Sequence, residues 1–191
     1  MRRLSPSVCL LLVAGGCVGR PRVASPPTSR PWSDPEGRFV IDLPGAPVAR
    51  RVQEITAIGT VNFTVYGVNA EPYAFRVTAF AYPAGPDTAF DAAGEILHAS
   101  RRGIARMRGT VESEAPVIVD GVAGLETHFS ITSPEGERGV GVQRMFVGSP
   151  PTRYHAFCLA PASADPAPCI AFVASLRPAV PGSGRGAPPL P

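Results

Sequence analysis

Leu125-Glu126-Thr127-His128-Phe129-Ser130-Ile131 alternates without a break: Leu125, Thr127, Phe129 and Ile131 on one side, Glu126, His128 and Ser130 on the other. Successive side chains of a strand point to opposite faces, so this period of two marks a half-buried β-strand. The same period returns along the chain. Upstream, Phe39, Ile41 and Leu43 share one side of a run that ends at Pro44-Gly45. Val61, Phe63 and Val65 alternate with Asn62, Thr64 and Tyr66, and Tyr73, Phe75, Val77 and Ala79 alternate with Arg76 and Thr78. Downstream, Val140, Val142 and Phe146 belong to another run, and Tyr154 to Leu159 to the last. Gly67-Val68-Asn69-Ala70-Glu71-Pro72 reads as a hairpin turn, and Ser133-Pro134-Glu135-Gly136 as a second. Connections this short join antiparallel neighbours.

Two stretches change to a helical period. From Asp87 onward, Phe90, Ala93, Leu97, Ile104 and Met107 fall mostly three, four or seven apart, with Asp87 or Thr88 as cap and Gly109 as stop. Gly94 and Gly103 either weaken this helix by about 1 kcal/mol each or mark close packing. A second helix is expected from Ala164-Asp165-Pro166 through Cys169, Ile170, Phe172, Val173 and Leu176, stopped by Pro178. Meander, long helix, meander and closing helix make an α+β domain: an antiparallel β-sheet with helices packed on its faces, not a parallel nucleotide-binding fold.

The ends of the chain have a different character. Met1-Arg2-Arg3 is a basic start, Val8 to Ala14 a short apolar core, and Gly15-Gly16 precede Cys17. That is an export signal, far too short to span a bilayer. Val13-Ala14-Gly15-Gly16-Cys17 resembles the lipobox of bacterial lipoproteins, with Ala14 where leucine is usual. The resemblance implies cleavage before Cys17, diacylation of its sulfur, and a membrane partner reached through that anchor in the cell envelope. The other reading is a secreted protein cleaved nearby. Residues 17–31 hold Pro21, Pro26, Pro27 and Pro31 and read as a tether; Pro178 to Pro191 reads as a disordered tail. The expected organisation is a signal peptide at 1–16, a tether at 17–31, one domain at 32–177 and a tail at 178–191.

The domain resembles the PsbP-like family at three places. These are Gly37-Arg38-Phe39-Val40-Ile41-Asp42-Leu43-Pro44, the segment Val119 to Glu126, and Ala171-Phe172-Val173-Ala174-Ser175-Leu176. The family includes an extrinsic photosystem II protein, a Ran-binding nuclear protein and bacterial lipoproteins of unknown role. The resemblance implies an α/β/α sandwich and no single chemistry, because function belongs to sites rather than folds.

Composition narrows the rest. The chain has 191 residues and a formal net charge of +3, with 18 basic residues that are all arginine. Removing residues 1–16 takes Arg2 and Arg3 with it and leaves the charge nearly balanced, so a nucleic-acid partner is not expected. Of the four cysteines, Cys9 lies in the signal and Cys17 is the lipid candidate. Cys158 and Cys169 remain as an even pair in an exported domain, where disulfides persist. The alternatives are a redox pair, which lacks the usual Cys-x-x-Cys, or two buried thiols.

Glu126 and His128 share a strand face, but His98 and His155 are not spaced to complete a metal site, and no cofactor is expected. There is no G-x-S-x-G elbow outside the tail's Gly182-Ser183-Gly184, and no phosphate-cradling glycine loop after a strand. Glu112 and Glu114 read as strand charges facing water. Arg101, Arg102, Arg106 and Arg108 crowd the long helix, as a contact for an anion or partner, or as a solvated face. The leading expectation is a non-catalytic, envelope-anchored lipoprotein that binds an envelope protein or assists an assembly. The alternatives are a small-ligand carrier with a pocket between sheet and long helix, and an enzyme using His128 with Glu126.

Overall fold

A computed structural model describes residues 28–56, 59–82, 91–148 and 151–179. The elements in chain order are β1 (Arg30–Ser33), β2 (Phe39–Leu43), β3 (Val48–Thr56), β4 (Gly59–Ala70), β5 (Tyr73–Ala81) and α1 (Ala92–Arg106). Then follow β6 (Thr110–Val119), β7 (Val122–Thr132), β8 (Arg138–Gly148), β9 (Thr152–Pro161), α2 (Ala167–Ala174) and β10 (Arg177–Pro178).

Seven strands form one antiparallel sheet in the order β3-β4-β5-β9-β8-β7-β6, and β1-β2-β10 form a small second sheet. The connection after β5 explains this order. Three strands run as a meander, α1 carries the chain to the far edge, and β6 to β9 return strand by strand until β9 pairs with β5. Sheet dominates the domain, and the two helices are the minor component.

Alternation sorts the side chains onto two faces. One face carries Phe75, Val77 and Ala79 of β5, Tyr154, Ala156 and Cys158 of β9, and Phe146 of β8. All are buried in one cluster with Phe172 and Val173 of α2 and Phe39 and Ile41 of β2. Each such aliphatic or aromatic side chain contributes about 1.5–3 kcal/mol by leaving water. On the other face Ile96 and Ala99 of α1 pack on Met145. Asp91 caps α1, its carboxylate accepting from the Gly94 backbone N–H.

Several expectations are corrected. Arg30 and Pro31, expected in the tether, belong to β1, because Trp32 packs against Tyr66 and Phe39 at ring separations of 4.8 and 5.9 Å. The proposed turn at 67–72 is mostly strand: Val68, Asn69 and Ala70 pair with Phe75, Ala74 and Tyr73, which leaves Glu71-Pro72 at the bend. β3 has no clean alternation and was not expected. The long helix starts at Ala92 rather than at Asp87, which lies outside the described residues. α2 ends at Ala174, so Leu176 lies beyond it. Pro178 is not tail but part of β10, paired with Phe39.

Cys158 and Cys169 form a disulfide that ties β9 to α2 across 11 positions of sequence. Both are buried. Closing so short a loop constrains the unfolded chain by roughly 3 kcal/mol. Replacing both cysteines by alanine should lower stability by that amount in a denaturant titration. Both should also resist alkylation in the denatured, unreduced chain; immediate labelling there would contradict the bridge.

Candidate functional site

The path of α1 leaves part of its sheet face open. The helix packs against β6, β7 and β8, while β3, β4, β5 and β9 continue past it. Between the helix flank and these strands lies a cleft of about 270 Å³.

Register places its lining. Val52 pairs with Phe63, Val65 with Thr78, Thr78 with His155, and His155 with Met145, so all share one face. Next to them Gly67 pairs with Arg76, and Arg76 with Phe157. Gly67 leaves room for the Arg76 side chain to cross it: a Cβ would stand 2.8 Å from the Arg76 Cδ and displace it. Arg76 then donates to the Phe75 and Val68 carbonyls at 2.8 and 3.2 Å and to Asn69 Oδ1 at 2.8 Å. α1 supplies Ala99, Arg102, Gly103 and Arg106 from the opposite wall. Gly103 has nothing within 4 Å of where its Cβ would stand, so it marks an opening and not close packing.

Arg153 anchors the floor. It is 5% exposed, its Nη2 donates to Glu54 Oε2 at 2.6 Å, and its Nη1 lies 3.5 Å from Glu95 Oε1. Its guanidinium sits 4.2 Å above the Phe80 ring. Two carboxylates and an aromatic face stabilise this buried cation, yet its Nε has no hydrogen-bond partner among the described residues. Tyr82 donates to Glu95 at 2.6 Å, and burial followed by that bond pushes its phenol up.

His155 is tied into a polar chain beneath α1. Its Nε2 lies 2.9 Å from Gln143 Oε1, Gln143 donates to Ser100 Oγ at 2.8 Å, and Ser100 meets Thr127 Oγ1 at 3.0 Å. The oxygen at Gln143 makes Nε2 the protonated nitrogen. Burial, with the Arg153 charge beside it, pushes the imidazole down to about 3. His155 is therefore neutral at physiological pH, a structural donor in this chain.

The four arginines expected on the long helix do not act as one patch. Arg101 turns away from the cleft and forms a fork on Glu114 of β6, at 2.7 and 3.2 Å. Arg102 lines the cleft without an ion pair or hydrogen bond among the described residues. Arg106 lines it too, 3.9 Å from Glu54. Arg108 lies past the helix end with φ of +56°.

Glu126 and His128 lie on the opposite sheet face, toward α2. Glu126 accepts from Arg144 Nε at 2.6 Å and meets His128 Nε2 at 2.8 Å, while Arg144 also reaches the Ala174 carbonyl at 3.4 Å. Burial alone would raise the Glu126 carboxyl, but its bonds from His128 and Arg144 hold it below the usual value. Its oxygens are thus engaged in an ion-pair network that joins sheet to helix. His98 is exposed on α1, and no three candidate metal ligands come together among the described residues. Cys17 lies outside the described residues.

Sequence reasoning missed Glu54, Arg76, Arg153 and the cleft role of His155. The available signal was arginine inside otherwise apolar strands, Arg76 between Phe75 and Val77 and Arg153 before Tyr154. Only strand register brings those positions to one face.

No family model matches the chain, and none of the curated proteins matches it. Among solved structures it is similar to cyanobacterial PsbP (CyanoP) from Synechocystis sp. PCC 6803, with a TM-score of 0.53 and 10% identity over 86% of this chain and 100% of that one. A protein from Bacteroides thetaiotaomicron gives a TM-score of 0.48 at 13% identity over 80% of this chain, which spans about half, 49%, of that longer one. A Pseudomonas aeruginosa protein of unknown function gives 0.38 at 10% identity, over 71% of this chain and 84% of that one. At such identities the CyanoP likeness concerns the fold alone, and the fold is PsbP-like.

Proposed function

We propose that this chain is a non-catalytic binding protein of the cell envelope, anchored through Cys17, whose domain holds a small ligand in the cleft between sheet and α1. The cleft itself is the observation that supports this: a concave, mostly apolar site with a few placed charged groups is how proteins hold small ligands. Catalysis is disfavoured by the state of the candidate groups, since His155 is neutral and engaged and Glu126 with His128 is bound to Arg144. We read the architecture as α/β/α, with α1 and α2 on opposite faces of the large sheet.

The native protein, extracted gently from membranes and weighed intact under non-denaturing conditions, should carry a small molecule that a cleft-filling variant lacks. Equal masses for both forms would count against the carrier reading. In the same preparation Cys17→Ser should move the protein to the soluble fraction; persistence with membranes would refute the anchor.

Binding of an envelope protein is the second reading. It is favoured by the outer strand β3, where Val48 and Ile55 are 75% and 78% exposed beside an edge that pairs with no other strand among the described residues.

A further inference from the structure

Resting on the ligand-binding reading above, we infer that the cleft selects a compact organic anion, a phosphate or carboxylate group on a small apolar body. Its charge balance is one-sided. Arg76, Arg102, Arg106 and Arg153 line it against one carboxylate, Glu54. Arg76 is engaged by carbonyls and Asn69, and Arg153 by Glu54 and Glu95. Arg102 has no partner among the described residues, and Arg106 has only Glu54 at 3.9 Å.

These two arginines are four residues apart on α1, so they leave the same side of the helix one turn apart. Gly103 adds no side chain at the wall beside them. Two guanidinium groups at that spacing suit a carboxylate or phosphate, which a planar fork of N–H donors grips at two oxygens.

The floor agrees. The Nε of Arg153 is a buried donor with no hydrogen-bond partner among the described residues, so the guanidinium at the floor keeps unsatisfied positive character. Phe63, Val65 and Phe157 offer apolar surface beside it. The volume of about 270 Å³ is at the small end of ligand pockets and has no room for a two-chain lipid body. The anion is therefore a free solute or the headgroup of a membrane lipid, recognised by the same chemistry.

Calorimetric titration of the purified full chain with phenyl phosphate and with phenol tests this. Phenyl phosphate should saturate one site and bind at least about tenfold tighter than phenol. The double variant Arg102→Met, Arg106→Met should lose about tenfold or more. Gly103→Leu, which keeps both arginines, should also weaken binding while melting no lower than the parent. Sedimentation of the Cys17→Ser chain, which carries no anchor of its own, with phosphatidylglycerol vesicles distinguishes the two sources. Pelleting that the double variant abolishes assigns a lipid headgroup; no pelleting, with phenyl phosphate still bound, assigns a free solute. Phenol binding as tightly as phenyl phosphate would overturn the anion class and leave the cleft a ligand site. Binding unchanged in both variants would overturn the location, and no binding of either probe to folded protein would overturn both.

Discussion

As pH falls from 6.5 toward 3, this domain should lose up to about 1.4 kcal/mol of stability per pH unit through His155 alone. The direction follows from the two states. In the unfolded chain the imidazole takes up its proton near 6.5, while in the folded chain burial and Arg153 delay uptake until about 3. Between those values the unfolded state binds more protons, so acid favours it. The contribution is fully present above 6.5 and is lost as pH drops. From 6.5 to about 5 free carboxylates hardly titrate, and the difference from a His155 variant separates this residue from the other two histidines. Denaturant titrations at steps across that window should show the slope, and His155→Gln, whose amide can still donate to Gln143, should flatten it. Identical slopes in the two proteins would refute a neutral His155 in the folded chain. The effect is large because the imidazolium would be held away from water and, in addition, beside the Arg153 cation.

Phe146→Ala should cost about 3–5 kcal/mol. The ring is fully buried in the cluster that joins β2, β5, β8, β9 and α2, and Gly124 on the neighbouring strand leaves the space it occupies. Removing it leaves a cavity that the surrounding strands cannot close, because their positions are set by backbone hydrogen bonds to both neighbours. For a domain of this size the melting temperature should fall by about 10 °C. Phe146→Leu should recover much of that loss. A fall of only a degree or two in the alanine variant would mean that the two-faced packing described above is wrong. Since the chain on this side of the sheet also carries the disulfide, the truncation is best measured with Cys158 and Cys169 oxidised.

Much of the fold was legible before any tertiary contact was known. Runs such as Tyr73 to Ala79 and Leu125 to Ile131 repeat every two residues because a half-buried strand must do so, and the structure places strands at both. The Cys158–Cys169 pair could be read from count and context. Strands without that pattern were not legible. β3 reads Val-Ala-Arg-Arg-Val-Gln-Glu-Ile-Thr, an outer strand with no second neighbour among the described residues, and β1 is hidden among prolines until Trp32 meets Tyr66. The arginines of α1 were visible as a group, but helical spacing alone does not say which of them meets Glu114 on one flank and which overhangs open sheet on the other.

By itself the sequence determined the alternation, most of the helical stretches and the oxidisable pair, which are properties of residues near one another along the chain. The cleft is of another kind. It draws Val52 and Glu54 from β3, Phe63 and Val65 from β4, Arg102 and Arg106 from α1, and Arg153 and His155 from β9. These are brought together by strand order and by the crossover that sends α1 over β6 to β8 while β3 to β5 stay uncovered. A period of two says that a strand has two faces; which face receives a helix, and which is left open to a ligand, is decided only when the strands pair.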